Sequence, residues 1–234
     1  RSFANTELSI ATLKAVAKAT DTSLNDVIMT IIDDALHRYL KEQEQTASKP
    51  LVAFMPMSLG DESGKGTAAS GNNVTVELIA MGAPNDSLLE RLRRIHASTQ
   101  AAKKKAQSLK ISVRLAYSIL LMGSLPLTKM LPAFGKVPGG NLVISNVRGP
   151  AEPLFLGGAP MVAFHGMPIL APGVGLNITF ASVNQDLSLA IGAAPEAVRD
   201  PLRLMALIEQ SFANLQREVP AKSPQATSHG KKLT

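Results

Sequence analysis

The chain has 234 residues, a length for one large domain or two small ones, and its 45% hydrophobic content is too high for a disordered chain. There is no Cys, which excludes disulfide scaffolds, thiolate metal sites and Cys nucleophiles; no Trp and only 4% aromatics leave little for base stacking. The net charge is +6, but three Lys lie in the last fifteen residues and leave +3 for the rest, so the charge does not point to nucleic acid.

Arg1 opens the chain and RSFANTELSI has no apolar signal-peptide core, so the chain is expected to begin inside a longer polypeptide. Ile10, Leu13, Val16 and Ala17 recur at helical spacing. A second helix follows at once, opened by a Ser23–Asp26 capping box. Its apolar face comprises Leu24, Val27, Ile28, Ile31, Ala35, Leu36, Tyr39 and Leu40, with Asp33, Asp34, Arg38 and Lys41 on the other side. Leu51 to Met57 reads as a buried strand after Pro50, and the Gly- and Ser-rich stretch 60–72 as a loop. From Asn73 the residues alternate, with Val74, Val76 and Leu78 expected on the buried face and Asn73, Thr75 and Glu77 on the exposed one.

Ser87 and Glu90 form another capping box, and Leu88, Leu92, Ile95, Thr99 and Ala102 then mark a helix decorated by Arg91, Arg93, Arg94 and Lys103 to Lys105. A more apolar helix is expected from Ile111 to about Gly123, then a Pro-broken segment through Pro132. The uncharged run 115–128 falls short of the roughly 20 residues a membrane-spanning helix needs. Short strands are expected at Leu142–Val147, Met161–Phe164, Val174–Val183 and Leu187–Ile191, the last two joined by a hairpin loop over 183–186. Asp200 caps a final helix with Pro201 in its first turn and Leu202, Met205, Ile208, Phe212 and Leu215 inward. The order predicts an α/β, or α+β layered, domain over residues 1–219: a mixed sheet with helices packed on it, followed by a disordered tail at 220–234.

No metal constellation, phosphate-binding glycine loop or GxSxG elbow is present, and His37 and His96 read as ordinary helix residues. His165, beside Gly166 at a strand end, is a weaker candidate for a site. Three local patterns remain. Asn25-Asp26 opens the long helix, where side-chain oxygens satisfy free N–H groups. Ser145-Asn-Val-Arg-Gly-Pro150 ends a strand in a forced turn. Asn177 interrupts an apolar strand, so its amide either pins a neighbouring loop or faces a cavity.

Together and in order, Ser23-Leu-Asn-Asp-Val-Ile28, Pro50 to Met57, Gly71-Asn-Asn-Val74, Ser145 to Pro150 with Glu152-Pro-Leu154, and Gly175-Leu-Asn-Ile-Thr179 resemble the C-terminal half of the bacterial wax ester synthase/acyl-CoA:diacylglycerol acyltransferase family. The resemblance runs from Arg1 to about Val219. It implies one half of a two-half coenzyme A-dependent acyltransferase fold that transfers a fatty acyl group from acyl-CoA, a substrate rather than a cofactor, to a long-chain alcohol or diacylglycerol.

The family's general base lies in a His-His-x-x-x-Asp-Gly motif of the N-terminal half. No His-His pair exists in this sequence, so the resemblance implies that the chain needs that half as partner and is inactive alone. Asn25, Asp26, Asn146, Gly149, Pro150 and Asn177 match the family's active-site scaffold. Arg148 departs from the family's usual Pro and is expected to approach coenzyme A phosphates. The implied setting is cytoplasmic, with a membrane or lipid-droplet surface as a further partner. Leu120, Leu121, Met122, Leu125 and Leu127 suit an acyl tunnel, a hydrophobic core or, beside Lys103–Lys105, Lys110 and Arg114, a lipid surface. Two rivals share the fold: a non-catalytic lipid-binding or lipid-droplet module, and an acyltransferase for polyketide or sugar-lipid acceptors.

Overall fold

The computed structural model describes residues 1–58, 74–130, 139–147, 149–150, 152–183 and 185–219. The expectations for the 60–72 loop, Arg148, residues 131–132 and the 220–234 tail lie outside these residues.

The chain starts with a strand that periodicity did not announce, β1 (Ser2–Ser9). It lies at a sheet edge with Phe3 exposed and only Ala4 and Leu8 buried, so its apolar alternation is faint. Ser9 then caps α1 (Ile10–Thr20), which ends at Asp21 in a left-handed conformation, and the Ser23–Asp26 capping box opens α2 (Leu24–Glu42). Next come β2 (Val52–Ser58), β3 (Val74–Ala80), α3 (Leu88–Ser108) with its Ser87–Glu90 box, and α4 (Ile111–Met130). The strand β4 (Leu142–Val147) precedes a small hairpin, β5 (Phe155–Leu156) and β6 (Ala159–Pro160), turned by Gly157 and Gly158 at positive φ. The hairpin of β7 (Leu176–Val183) and β8 (Asp186–Ala193) leads to α5 (Pro201–Glu218), capped by Asp200.

Six strands form one sheet in the order β1-β8-β7-β4-β2-β3. β4 runs parallel to β2 and β7, and every other pair is antiparallel. The main core lies between one sheet face (Ala53, Met55, Ile144, Ile178, Phe180) and α1, α2, α3 and α5. A smaller cluster of Phe54, Leu121 and Val174, flanked by Val76, Leu78 and Tyr117, sits on the opposite face under α4. The fold is thus a mixed sheet with helices packed on it, α1, α2, α3 and α5 against one face and α4 against the other.

Several sequence expectations need correction. On β3 it is Thr75, Glu77 and Ile79 that are fully buried, while Val74 is exposed and Val76 and Leu78 are half-buried under α4. Both faces of this strand are covered, so the side that reads as polar is not the solvent side. Asp33 and Arg91 are not surface charges: both are buried and ion-paired across α2 and α3. Leu202 is exposed because the inward stripe of α5 runs through Leu204, Met205, Ile208, Ser211, Phe212 and Leu215, and residue 202 falls on the far side. α4 continues through Gly123 and Pro126 to Met130 rather than breaking. Leu121 and Met122 turn inward on it and Leu120 outward. No strand forms over Met161–Phe164; the short pair β5–β6 precedes it.

Candidate active site

The N-terminus of α2 is built around one carboxylate. The Ser23 hydroxyl accepts from the Asp26 amide at 3.2 Å, and the Ser23 amide donates back to Asp26 Oδ2 at 2.9 Å. Asp26 Oδ1 also accepts from the Thr99 hydroxyl at 2.7 Å, and Asp26 Oδ2 lies 2.8 Å from His96 Nδ1. A carboxylate accepts only, so the imidazole proton sits on Nδ1. Burial acts to raise the Asp26 carboxyl, but the bonds from His96, Thr99 and Ser23 outweigh it and hold the group below its ordinary range. Asp26 is therefore ionised at neutral pH, with its acceptor capacity directed at its own scaffold. His96 and Thr99, one turn apart on α3, clamp that helix to α2.

Beside this clamp, Asn146 at the end of β4 donates its side-chain amide to Asn25 Oδ1 at 2.9 Å. The pair borders a cavity of about 230 Å³ lined by Ser23, Asn25, Asp26, Met55, Pro56, Met57, Ile79, Thr99, Lys103 and Asn146. Gly149, just past β4, packs so closely on the Ser182 carbonyl oxygen that a Cβ would collide with it, which accounts for glycine at this position. Pro150 follows it in irregular chain beyond the strand. Asn25, Asp26 and Asn146 thus converge.

Asn177 does not join them. Strand alternation places Asn146, in register with Phe180, on the face carrying α2, and Asn177, in register with Val143, on the opposite face. Its amide donates to the Ile169 carbonyl at 2.7 Å and its oxygen accepts from Thr179 at 3.2 Å. Asn177 both pins the 161–171 segment and lines a second cavity of about 360 Å³, whose walls include Val143, Val147, Phe164, Met167, Ile169 and Ala181. Pro56 borders both cavities. His165 is exposed on this pinned segment, with Nδ1 3.3 Å from the Ser188 hydroxyl.

The first cavity offers fixed amides, one cation and apolar walls. Among the described residues no His lines it, and the carboxylate that does, Asp26, is fully engaged. It can orient a substrate by hydrogen bonds and hold an apolar chain, but among the described residues it has no free proton acceptor. Sequence reasoning missed the partnership of His96 and Thr99 with Asp26. The available signal was two polar residues lying along an otherwise apolar helical stripe.

A third buried polar group lies outside both cavities. Arg91 Nη1 donates to Asp33 Oδ2, which also accepts from the Gly82 amide at 2.9 Å. Burial pushes the Asp33 carboxyl up to about 6 despite Arg91. His37 lies 3.7 Å from the other Asp33 oxygen, and burial, then Arg91, lower its pKa.

Comparison with known proteins matches residues 70–216 to the family model described as WS/DGAT C-terminal domain. A Mycobacterium tuberculosis H37Rv protein, named as a probable diacylglycerol O-acyltransferase, Tgs4, is 54% identical over 224 residues, which cover 96% of this chain and 47% of that protein. The Acinetobacter baylyi O-acyltransferase WSD is 30% identical over 212 residues, 91% of this chain and 45% of its own. The solved wax ester synthase/diacylglycerol acyltransferase from Marinobacter aquaeolei VT8 superposes with a TM-score of 0.77 at 27% identity, covering 93% of this chain and 49% of that one. The chain spans about half the length of the relatives it matches. On the extent of the family match, supported by the shared fold, the chain belongs to the WS/DGAT C-terminal domain family.

Proposed function

We propose that this chain is the C-terminal half of an O-acyltransferase that moves a fatty acyl group from acyl-CoA to a long-chain alcohol or diacylglycerol. The carrying observation is the first cavity: two amides bonded to each other, an engaged carboxylate and apolar walls, with no free base lining it. Such a site orients substrates and leaves deprotonation of the acceptor hydroxyl to a partner. The partner is the N-terminal half bearing His-His-x-x-x-Asp-Gly, whose His takes the hydroxyl proton as the oxygen attacks the thioester carbonyl; the C–S bond then breaks, and coenzyme A leaves as the thiol with the proton the His returns.

The exposed apolar arm supports a covering partner. Leu154, Phe155, Leu156, Val162, Met167 and Ile169 are all exposed along the β5–β6 hairpin and the segment after it. An apolar stretch of this extent marks an interface. The second cavity, with its apolar walls, suits the acyl chain. Arg148 is assigned to the coenzyme A phosphates; unchanged acyl-CoA affinity in Arg148→Pro would remove that role. Peripheral contact with a lipid surface belongs to the same reading, because the acceptors are lipids; among the described residues no helix is long and apolar enough to cross a membrane.

The test joins the chain to the family's N-terminal half and measures acyl transfer from acyl-CoA to a fatty alcohol, diacylglycerol and a trehalose lipid. The chain alone should be inactive and the reunited protein active. Asn25→Ala and Asn146→Ala should each lower turnover. Turnover by the isolated chain would overturn the assignment of the base to the partner. Preference for the trehalose lipid would move the acceptor class.

A further inference from the structure

We propose that the outer face of α4, together with the lysines that close α3, is the surface by which the protein docks on an anionic lipid interface. This deepens the lipid-surface element of the reading above and rests on it for its purpose.

The inward side of α4 is occupied: Tyr117, Leu121 and Met122 pack in the cluster with Phe54, and the Ser118 hydroxyl accepts from the Val76 amide at 2.9 Å. Among the described residues the outward side is uncovered and, apart from Ser112, apolar. Val113 is 48% exposed, Ile119 and Leu120 are each 72% exposed, and Ala116 and Gly123 continue the strip. These positions recur at helical spacing, so they form one continuous face. Leu109, just before the helix, extends it.

Charge identifies the occupant. From Arg91 to Ala151 the chain carries eleven Lys and Arg and no Asp or Glu, although the remainder of the chain is net acidic. Lys104, Lys105 and Lys110 are exposed where α3 gives way to α4. Lys105 Nζ stands 4.6 Å from the centre of the Tyr117 ring, which joins the basic cluster to α4. An apolar helical strip flanked by lysines, with no acid nearby in sequence, matches an interface of anionic headgroups over acyl chains. Nucleic acid would leave the apolar strip without a role.

This chain contributes no Trp of its own. Ile119→Trp adds a reporter on the strip; Leu202→Trp places one on the exposed side of α5 as control. Both are made in the chain joined to its N-terminal half, and each emission is read as the difference spectrum against the parent joined protein, which cancels any Trp of that half. With phosphatidylglycerol–phosphatidylcholine vesicles, emission of the Ile119→Trp protein should shift to shorter wavelength; with phosphatidylcholine alone it should not, and Leu202→Trp should stay unmoved in both. Replacing Lys104 and Lys110 with Gln should weaken binding to anionic vesicles roughly tenfold or more. Equal binding to both vesicle types, or a shift at Leu202→Trp, would overturn the assignment. So would a blue-shifted Ile119→Trp reporter in the lipid-free joined protein, since another polypeptide would then cover the strip. Turnover of a water-soluble short-chain alcohol tests the acyltransferase reading separately, because it needs no vesicle.

Discussion

Changing Asp26 to Asn alters one atom of the carboxylate on which three donors converge: the Ser23 amide at 2.9 Å, His96 Nδ1 at 2.8 Å and the Thr99 hydroxyl at 2.7 Å. Asn keeps one acceptor and turns the other into a donor, so at least one donor pair is left facing itself. A hydrogen bond to a charged group contributes about 1.5–3 kcal/mol, and a buried polar group without a partner costs about 1–3. Losing the capping box adds about 1 kcal/mol. These effects overlap, and we expect a net loss of about 3 kcal/mol at pH 7, a large part of the roughly 5–15 kcal/mol that holds a domain.

Guanidinium unfolding followed by far-UV circular dichroism measures it. The pH dependence gives a second check. The folded carboxyl lies below its ordinary value of 3.8, so its contribution is present above that pH and is lost as pH falls through the folded value. The curves of the two proteins should therefore converge below about pH 3.8. A double-mutant cycle with His96→Ala should return a coupling of about 1 kcal/mol or more. In the joined enzyme, the loosened helix end should shift Asn25 from Asn146 and lower turnover by about a hundredfold. A stability loss under about 0.5 kcal/mol, or one that persists undiminished in acid, would refute the clamp.

Arg91→Met leaves the Asp33 carboxylate buried without its cation and should cost about 3–5 kcal/mol at neutral pH. Because the Asp33 pKa is raised to about 6, its contribution is greatest below the ordinary 3.8 and is lost as pH rises through about 6; melting temperature against pH should fall over that window, more steeply in the variant. Gly149→Ala would drive a Cβ into the Ser182 carbonyl; we expect a loss of about 2 kcal/mol or more in chemical unfolding and, in the joined enzyme, reduced turnover. Asn177→Leu removes the donor to Ile169 and the acceptor for Thr179, so the 161–171 segment should become the preferred cleavage site in limited proteolysis, with about 1–3 kcal/mol lost.

The parts of this protein written in short-range pattern were legible before any coordinates. Ser23 with Asp26, Ser87 with Glu90, and Asp200 with Pro201 mark helix starts because a cap and its partner lie within one turn. The β7–β8 hairpin declares itself because its pairing begins across a two-residue loop, Val183 with Asp186. The end of β4 was legible from the Gly-Pro pair that follows it, but the Ser182 carbonyl that leaves no room for a side chain at Gly149 was not.

What stayed hidden depends on partners far along the chain. β1 is held by β8 at the end of the strand order, and with only Ala4 and Leu8 buried its own pattern is too weak to identify it. Which side of β3 is buried was settled by α3 and α4 covering opposite faces, not by the polarity of Thr75 and Glu77. Asp33 and Arg91 meet across 58 residues and Asn25 and Asn146 across 121. Helical period and caps act within a few residues and survive in the bare sequence. Sheet order and the face assigned to each strand position arise only when distant segments pack, and that packing set Asn146 beside Asn25 and turned Asn177 to the opposite side.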